Sequence, residues 1–419
     1  CVGWIRCRQR NSPAMSISSE LVGIARTARH RLAVRKASKL LVRSGEPRPS
    51  GTFDVLVYFA DTEANLYQLR QWFDVLKAVD SQHRVLILTR SADAALALTQ
   101  DPTNPFPVVL AARHNAIDPF VAAHDPKVVL YVNHHRANFA MMWHPSALHV
   151  YIGHGESDKI GISASNQLKA YDFTFVAGQA AIDRIDRRLI NFESSQRLLV
   201  VGRPQVDVEF AISPRPADLA TVLYAPSWEG DRVANTYGSA RTHGLTMVRA
   251  LIADGSYRVV CRQHPLSGHR DSAYAQASTE IAEAIVAAAK QNPAAGHHVC
   301  NKPDFGVSLA NADVVVADVS AVALDAVAAG KPVVVTKPSE TRALVTPDSV
   351  MARFTLLPAD EAELVPDWLA DAKTGDAAVT IDEIREYCFG DTSRGVATEA
   401  FVAAVTKVAD LRDELLAQR

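Results

Sequence analysis

DVVVADVSAVALDAVAAGKPVVVT, residues 313–336, carries a β-branched run, a short polar step, a helical stretch and a second β-branched run. The two apolar runs have no polar alternation, which suits strands of a parallel sheet covered on both faces. Ser320 stands where a helix N-cap is expected. The helix runs through Val322, Leu324, Asp325 and Val327 and stops before Gly330 and Pro332. Strand, helix and strand in this order make a βαβ unit, the building block of a doubly wound α/β domain. Asp318 ends the first strand directly before the helix. Such a helix start presents free backbone N–H groups and a positive dipole end, and so suits an anion; ordinary capping explains the same residues equally well. Neither GxGxxG nor GxxxxGK[ST] is present, so no dinucleotide fingerprint or P-loop is predicted.

The same alternation extends in both directions. Upstream lie FDVLVYF (53–59), RVLILT (84–89), PVVLAA (107–112), KVVLYVN (127–133), LHVYIG (148–153), FTFVAG (173–178) and LLVVG (198–202). Amphipathic segments such as 64–79 and 180–190 separate them. GRPQVDVEFAISPRPADL (202–219) breaks the pattern with three prolines and reads as an inter-domain connection. The alternation restarts with TVLYAP (221–226), YRVVCR (257–262) and HHVC (297–300), and residues 393–419 read as a terminal helix. The predicted fold is α/β, with two Rossmann-like doubly wound domains at 51–205 and 206–385, a cleft between them and a C-terminal helical segment at 386–419.

Bulk composition agrees. A chain of 419 residues is too long for one ordinary core. Hydrophobic residues at 48% and charged residues at 21% are those of a soluble globular protein. A net charge of −2 argues against generic nucleic-acid binding. The five cysteines are scattered, odd in number and without CxxC spacing, which fits a reducing cytoplasm better than a disulfide framework or a zinc site. No apolar run approaches the ~18–20 residues of a membrane span, and no signal-peptide core is evident. The chain opens on Cys1, and Met15 reads as a more natural start. Residues 1–50 form a basic leader and linker: 21–43 contain seven Arg or Lys and no acid. Leu21, Ala25, Ala28 and Leu32 share one side of a helix that could lie on an anionic membrane surface or simply be solvated. SGEPRPSG (44–51) is the linker.

Ligands of open α/β sheets bind beyond the carboxyl ends of the strands. Four loops at such ends carry chemistry-bearing residues: GHGESDK (153–159), APSWEGD (225–231), RQHP (262–265) and DVSAVALDAVAAGKP (318–332). All four could face one inter-domain cleft. His154, between two glycines, is the candidate base, with an ordinary pKa of ~6.5. Glu156 or Asp158 could orient its ring. Arg262 and His264 suit phosphate oxygens by charge and hydrogen bonding. Ser227 is polar; Trp228 reads first as core. His134, His135 and His144 lack zinc-site spacing and read as structural, so no metal ligand is predicted.

Taken together the four loops resemble the CDP-glycerol glycerophosphotransferases, the teichoic-acid primase and polymerase family. That family carries, in order, an HGxPxK loop, a YAPTWR loop, an RPHP or KPHP loop and a DYSSxxxD loop. Here stand His154-Gly155-Glu156-Ser157-Asp158-Lys159, then Tyr224-Ala225-Pro226-Ser227-Trp228-Glu229, then Arg262-Gln263-His264-Pro265, then Asp318-Val319-Ser320-Ala321 with Asp325 following. The stretch REYCFGDTSRGVATEAF (385–401) is similar to the family's closing segment, and the resemblance spans roughly residues 125–405. It implies a GT-B fold, a cytoplasmic enzyme peripheral to the inner face of the membrane, and a CDP-alcohol donor. The family's catalytic histidines fall on His154, as base, and His264, beside the donor diphosphate. The two serines of its phosphate-binding loop fall on Ser320 and Ala321; with them Arg262, Asp318, Asp325, Ser227 and Trp228 are the candidate donor-binding residues, and Glu156, Asp158 and Lys159 are in support. Four departures stand out: Ala321 replaces the second serine, Ser157 replaces the proline, Asp158 replaces the leucine before the lysine, and Glu229 inverts the charge of an arginine.

The resemblance implies transfer of a polyol phosphate from a CDP-alcohol to a hydroxyl of a lipid-linked or polymeric cell-wall acceptor, with CMP released. No cofactor is called for, and Mg²⁺ can arrive with the donor. A UDP-sugar glycosyltransferase or 2-epimerase on the same fold, and a non-catalytic scaffold of cell-wall assembly, are the competing readings.

Overall fold

A computed structural model describes residues 50–419 apart from 160–163, 211, 213–218 and 301–304. Of the leader only Leu32, Arg35, Lys36 and Lys39 are described, exposed and helical, so the amphipathic helix expected at 21–43 lies otherwise outside the described residues.

Seven strands form the first sheet: β1 (Val55–Phe59), β2 (Val85–Thr89), β3 (Val108–Leu110), β4 (Val128–Tyr131), β5 (Leu148–Tyr151), β6 (Phe173–Val176) and β7 (Leu198–Val200). Their order is β3-β2-β1-β4-β5-β6-β7, with every pairing parallel. The second sheet contains β8 (Ala220–Ala225), β9 (Tyr257–Cys261), β10 (His298–Val299), β11 (Val314–Ala317), β12 (Val333–Thr336) and β13 (Leu356–Leu357). Its order, β10-β9-β8-β11-β12-β13, repeats that of the first six strands. Both sheets therefore reverse direction between their first and fourth strands, where crevices open beyond the strand ends. The central strands β1, β2, β4, β11 and β12 are buried along their whole length, as continuous apolar strands require, while the edge strands β3, β7 and β10 are partly exposed. Strand β13, two residues long, gave no signal in the sequence.

Six helices bear on the site: α1 (Tyr67–Arg70), α2 (Phe73–Asp80), α3 (Gln179–Arg188), α4 (Ala321–Ala328), α5 (Gly375–Phe389) and α6 (Val396–Ala417). Helix α6 returns to the first domain. Its Phe401, Val402, Val405 and Val408 join the core beneath β1 and β4, and Phe401 packs 5.1 Å from the Trp72 ring. Its polar end is tied by Lys127 to Asp413 at 2.6 Å and by Arg412 to Asp125. The start of α3 crosses the other way: Ala177 and Ala180 lie in the core of the second domain with Cys388 and Phe389. Gly178 allows this approach, because a Cβ there would stand 2.4 Å from the Cys388 carbonyl oxygen. Among the described residues no helix is long and apolar enough to cross a membrane.

Candidate functional site

The four loops meet in one cleft between the domains, with a volume of about 1180 Å³. The first domain contributes His154 and Lys159; the second contributes Trp228, His264 and Ser320.

His154 follows β5 in a glycine-flanked loop held by tertiary hydrogen bonds. Gly153 has φ +65°, a conformation open to glycine at no steric cost. Its carbonyl accepts from Trp72 Nε1 at 2.9 Å, and the His154 carbonyl accepts from Gln71 Nε2 at 2.8 Å. The His154 ring places Nδ1 2.8 Å from the Val132 carbonyl oxygen at the end of β4. A carbonyl only accepts, so Nδ1 carries the proton and Nε2 keeps its lone pair. Burial, reinforced by the Arg203 charge, lowers the ring's pKa below the ordinary histidine value despite the Val132 bond. His154 is thus a neutral imidazole with its basic nitrogen fixed.

The carboxylates expected to orient it do something else. Glu156 pairs with Arg184 of α3 at 2.7 Å. Asp158 accepts from Ser349 Oγ and, at 3.3 Å, from Met351 N in the second domain. A carbonyl at the adjacent strand end is nearer the ring, and the acids are drawn to Arg184 and to a helix start.

His264 has the opposite tautomer. Its Nδ1 accepts from Leu266 N at 3.1 Å, leaving the proton on Nε2. Burial, with the Lys159 and Arg262 charges acting in the same direction, lowers its pKa to about 3. It is therefore a neutral hydrogen-bond donor, where the sequence suggested charge as well. Trp228 lies near-parallel to it at 6.1 Å and 17°, with Arg270 6.0 Å from the Trp228 centroid. Trp228 is half-buried in the cleft wall, not core. Arg262 lines the same wall.

Tyr67 of α1, which no sequence motif singles out, stands between the histidines. Its ring is edge-on to His154 at 6.3 Å and to His264 at 5.6 Å. It belongs to a plain amphipathic stretch without a motif, and only tertiary packing brings it here.

Lys159 reaches across the cleft to Ser227 Oγ at 3.0 Å and lies 5.3 Å from the Tyr237 ring centroid. Burial lowers its pKa to about 8 against the pull of Asp318 and Asp231.

Two acids expected to bind donor are occupied inside the protein. Asp318 is fully buried at the β8/β11 switch point. It accepts from Ser227 N at 2.5 Å, Ser239 N at 3.2 Å and Thr336 Oγ1 at 2.7 Å, and burial raises its pKa. Its role is to hold the Ser227 loop. Asp325 receives both arms of Arg203, at 2.7 and 3.3 Å, in a buried pair that joins the domains. Arg203, in the segment read only as a connection, also reaches Gln71 Oε1 at 3.2 Å.

Ser320 occupies the N-cap position of α4 in extended conformation, but its side chain caps no helical N–H. Its hydroxyl donates to the Asp318 carbonyl at 3.0 Å. The first N–H groups of α4 are left without that cap at the cleft wall. Ala321 meets Gly155 closely: a Cβ on Gly155 would stand 2.8 Å from the Ala321 Cβ. Glu229, the inverted charge, is turned from the cleft. Its carboxylate accepts from Gly268 N at 2.8 Å, Arg270 N at 2.7 Å and Asp271 N at 3.2 Å, closing the loop before the next helix.

His134 stacks on Tyr151 at 4.1 Å, and burial lowers its pKa to about 4. Among the described residues no group of three His, Cys, Asp or Glu is placed to hold a metal ion.

Two Rossmann-like domains of matching strand order, facing each other across such a cleft, define the GT-B fold. Solved structures agree. The wall teichoic acid polymerase TagF superposes with a TM-score of 0.54 at 12% identity, over 95% of this chain and 100% of that one; a variant of it was soaked with CDPG. The UDP-GlcNAc 2-epimerase of Neisseria meningitidis, bound to UDP-GlcNAc, gives 0.52 at 12% identity over 84% and 99%. A glycosyltransferase from Rickettsia africae gives 0.50 at 12% over 85% and 98%. No family model and no curated protein matches the sequence. At this identity the likeness is one of fold.

Proposed function

We propose that the chain is a transferase that moves a polyol-phosphate unit from a CDP-alcohol to a hydroxyl acceptor. The observation that carries this reading is the pair of fixed, opposite imidazole tautomers. His154 Nε2 can take a proton, while His264 Nε2–H can only donate a hydrogen bond.

In the proposed reaction the acceptor hydroxyl oxygen attacks the β-phosphorus of the donor. His154 Nε2 takes the hydroxyl proton as the new P–O bond forms. The bond from β-phosphorus to the bridging oxygen breaks, and CMP leaves with the electron pair. His264 Nε2–H, Arg262 and the α4 N–H groups would meet the diphosphate oxygens, supplying donors already oriented before charge builds up. Lys159, protonated below about pH 8, adds a cation from the acceptor side. The ordered loop resemblance favours a glycerol-like polyol and a lipid-linked or polymeric acceptor.

Thermal shift with CDP-glycerol, CDP-ribitol and UDP-sugars tests the donor class. Stabilisation by a CDP-alcohol, rising with its concentration, is expected. Stabilisation by UDP-sugars alone would assign the cleft to sugar-nucleotide chemistry. No response to any nucleotide would favour a non-catalytic scaffold.

A further inference from the structure

Tyr67 is more than a spacer between two histidines. Its hydroxyl oxygen accepts from Gln68 Nε2 at 3.3 Å. The Gln68 amide cannot turn over freely, because its Oε1 accepts from Asn133 Nδ2 at 2.7 Å. Asn133 in turn stands at the end of β4, where its carbonyl accepts from Asn138 Nδ2 at 2.7 Å. This chain of amides fills an acceptor position on the Tyr67 oxygen and leaves its hydrogen to point elsewhere. Among the described residues no protein acceptor takes that hydrogen. Burial raises the phenol's pKa, so it stays protonated through neutral pH. The ring lines the cleft and lies against both His154 and His264.

We infer that the Tyr67 hydroxyl donates a hydrogen bond to a non-bridging oxygen of the phosphoryl group in transit between His264 and His154. The inference rests on the polyol-phosphate transfer proposed above. It makes Tyr67 a further oriented donor beside His264, Arg262 and the α4 terminus, supplied by the opposite domain. Negative charge on those oxygens shifts as the phosphoryl group moves, so a bond from Tyr67 should strengthen in the transition state.

Tyr67→Phe keeps the edge contacts and removes only the hydroxyl. Calorimetry with CDP-glycerol, paired with CMP release under saturating donor, separates binding from turnover. Donor affinity is expected to stay within about twofold while kcat falls about 10²-fold, the scale of losing one oriented donor. Gln68→Met, which unlocks the hydroxyl but leaves it in place, is expected to lower kcat less than Tyr67→Phe does. An unchanged kcat in Tyr67→Phe, or a fall in affinity that accounts for the lost rate, would overturn the inference and leave the transferase reading intact. Absence of CDP-glycerol binding by the unaltered chain would overturn both.

Discussion

At the scale of single residues, the site is governed by where ring protons sit. Val132 O and Leu266 N are backbone groups, so the assignments of His154 and His264 follow from the fold itself. A pH profile tests this. His154 must be neutral to act as base, and its pKa is depressed. The acid limb of kcat should therefore lie below the ordinary histidine range of ~6.5. Lys159 loses its charge above about pH 8, so activity should fall on that side. Lys159→Arg should move the alkaline limb upward, since guanidinium stays charged. An alkaline limb unchanged in Lys159→Arg would assign it to another group. The histidine between two glycines was legible as a candidate in the sequence, but its partner was not. Sequence proximity favoured Glu156 and Asp158, whereas the ring found a carbonyl 22 residues upstream. The same limit explains Asp318 and Asp325. Their motif positions were readable; that buried N–H groups and Arg203 consume their oxygens is a fact of tertiary packing.

At the scale of elements, the start of α4 and the loop at Gly155 form one unit. Ser320 is extended and Ala321 is the first helical residue, the position where proline fits a helix best. Ala321→Pro should therefore fold while deleting one N–H that could meet an anion. Ser320→Ala removes a hydroxyl that serves the Asp318 carbonyl, and the N–H groups remain. Calorimetry should show donor affinity weakened more by Ala321→Pro than by Ser320→Ala, with circular dichroism confirming the fold. The reverse order would mean that the hydroxyl, not the helix terminus, holds the anion. Gly155→Ala should lower turnover by forcing its Cβ against Ala321 and displacing the His154 loop. The βαβ unit of 313–336 was readable because its strands are continuously apolar and its helix has clear stops. The uncapped state of α4 was not readable, since a serine at an N-cap position normally caps.

At the scale of the whole molecule, the two domains are joined by buried polar contacts around the cleft. Among the described residues, the Arg203–Asp325 pair is the most buried ion pair between the domains. Breaking one partner of such a pair typically costs about 3–5 kcal/mol, because the other charge stays buried alone. Asp325→Ala should therefore lower the melting temperature clearly, and Arg203→Met with Asp325→Leu should recover much of the loss. If Asp325→Ala left stability unchanged and abolished only donor binding, Asp325 would belong to the donor site. The two strand–helix alternating halves were legible from the apolar runs; the order of strands within each sheet was not, because it is set by how the crossovers pack. The return of α6 to the first domain was not, because an amphipathic helix at a chain end does not declare which core it covers.

The proposed reaction splits a CDP-alcohol in this cleft with His154 as base. The most direct measurement is chromatographic detection of released nucleotide when the chain is incubated with CDP-glycerol and a hydroxyl acceptor, in parallel with UDP-sugars. CMP is expected to appear in step with glycerol phosphate on the acceptor, and His154→Ala is expected to bind donor yet slow release by about 10²–10⁴-fold. UDP released from a UDP-sugar without CMP from CDP-glycerol, or CMP released as fast by His154→Ala, would contradict it.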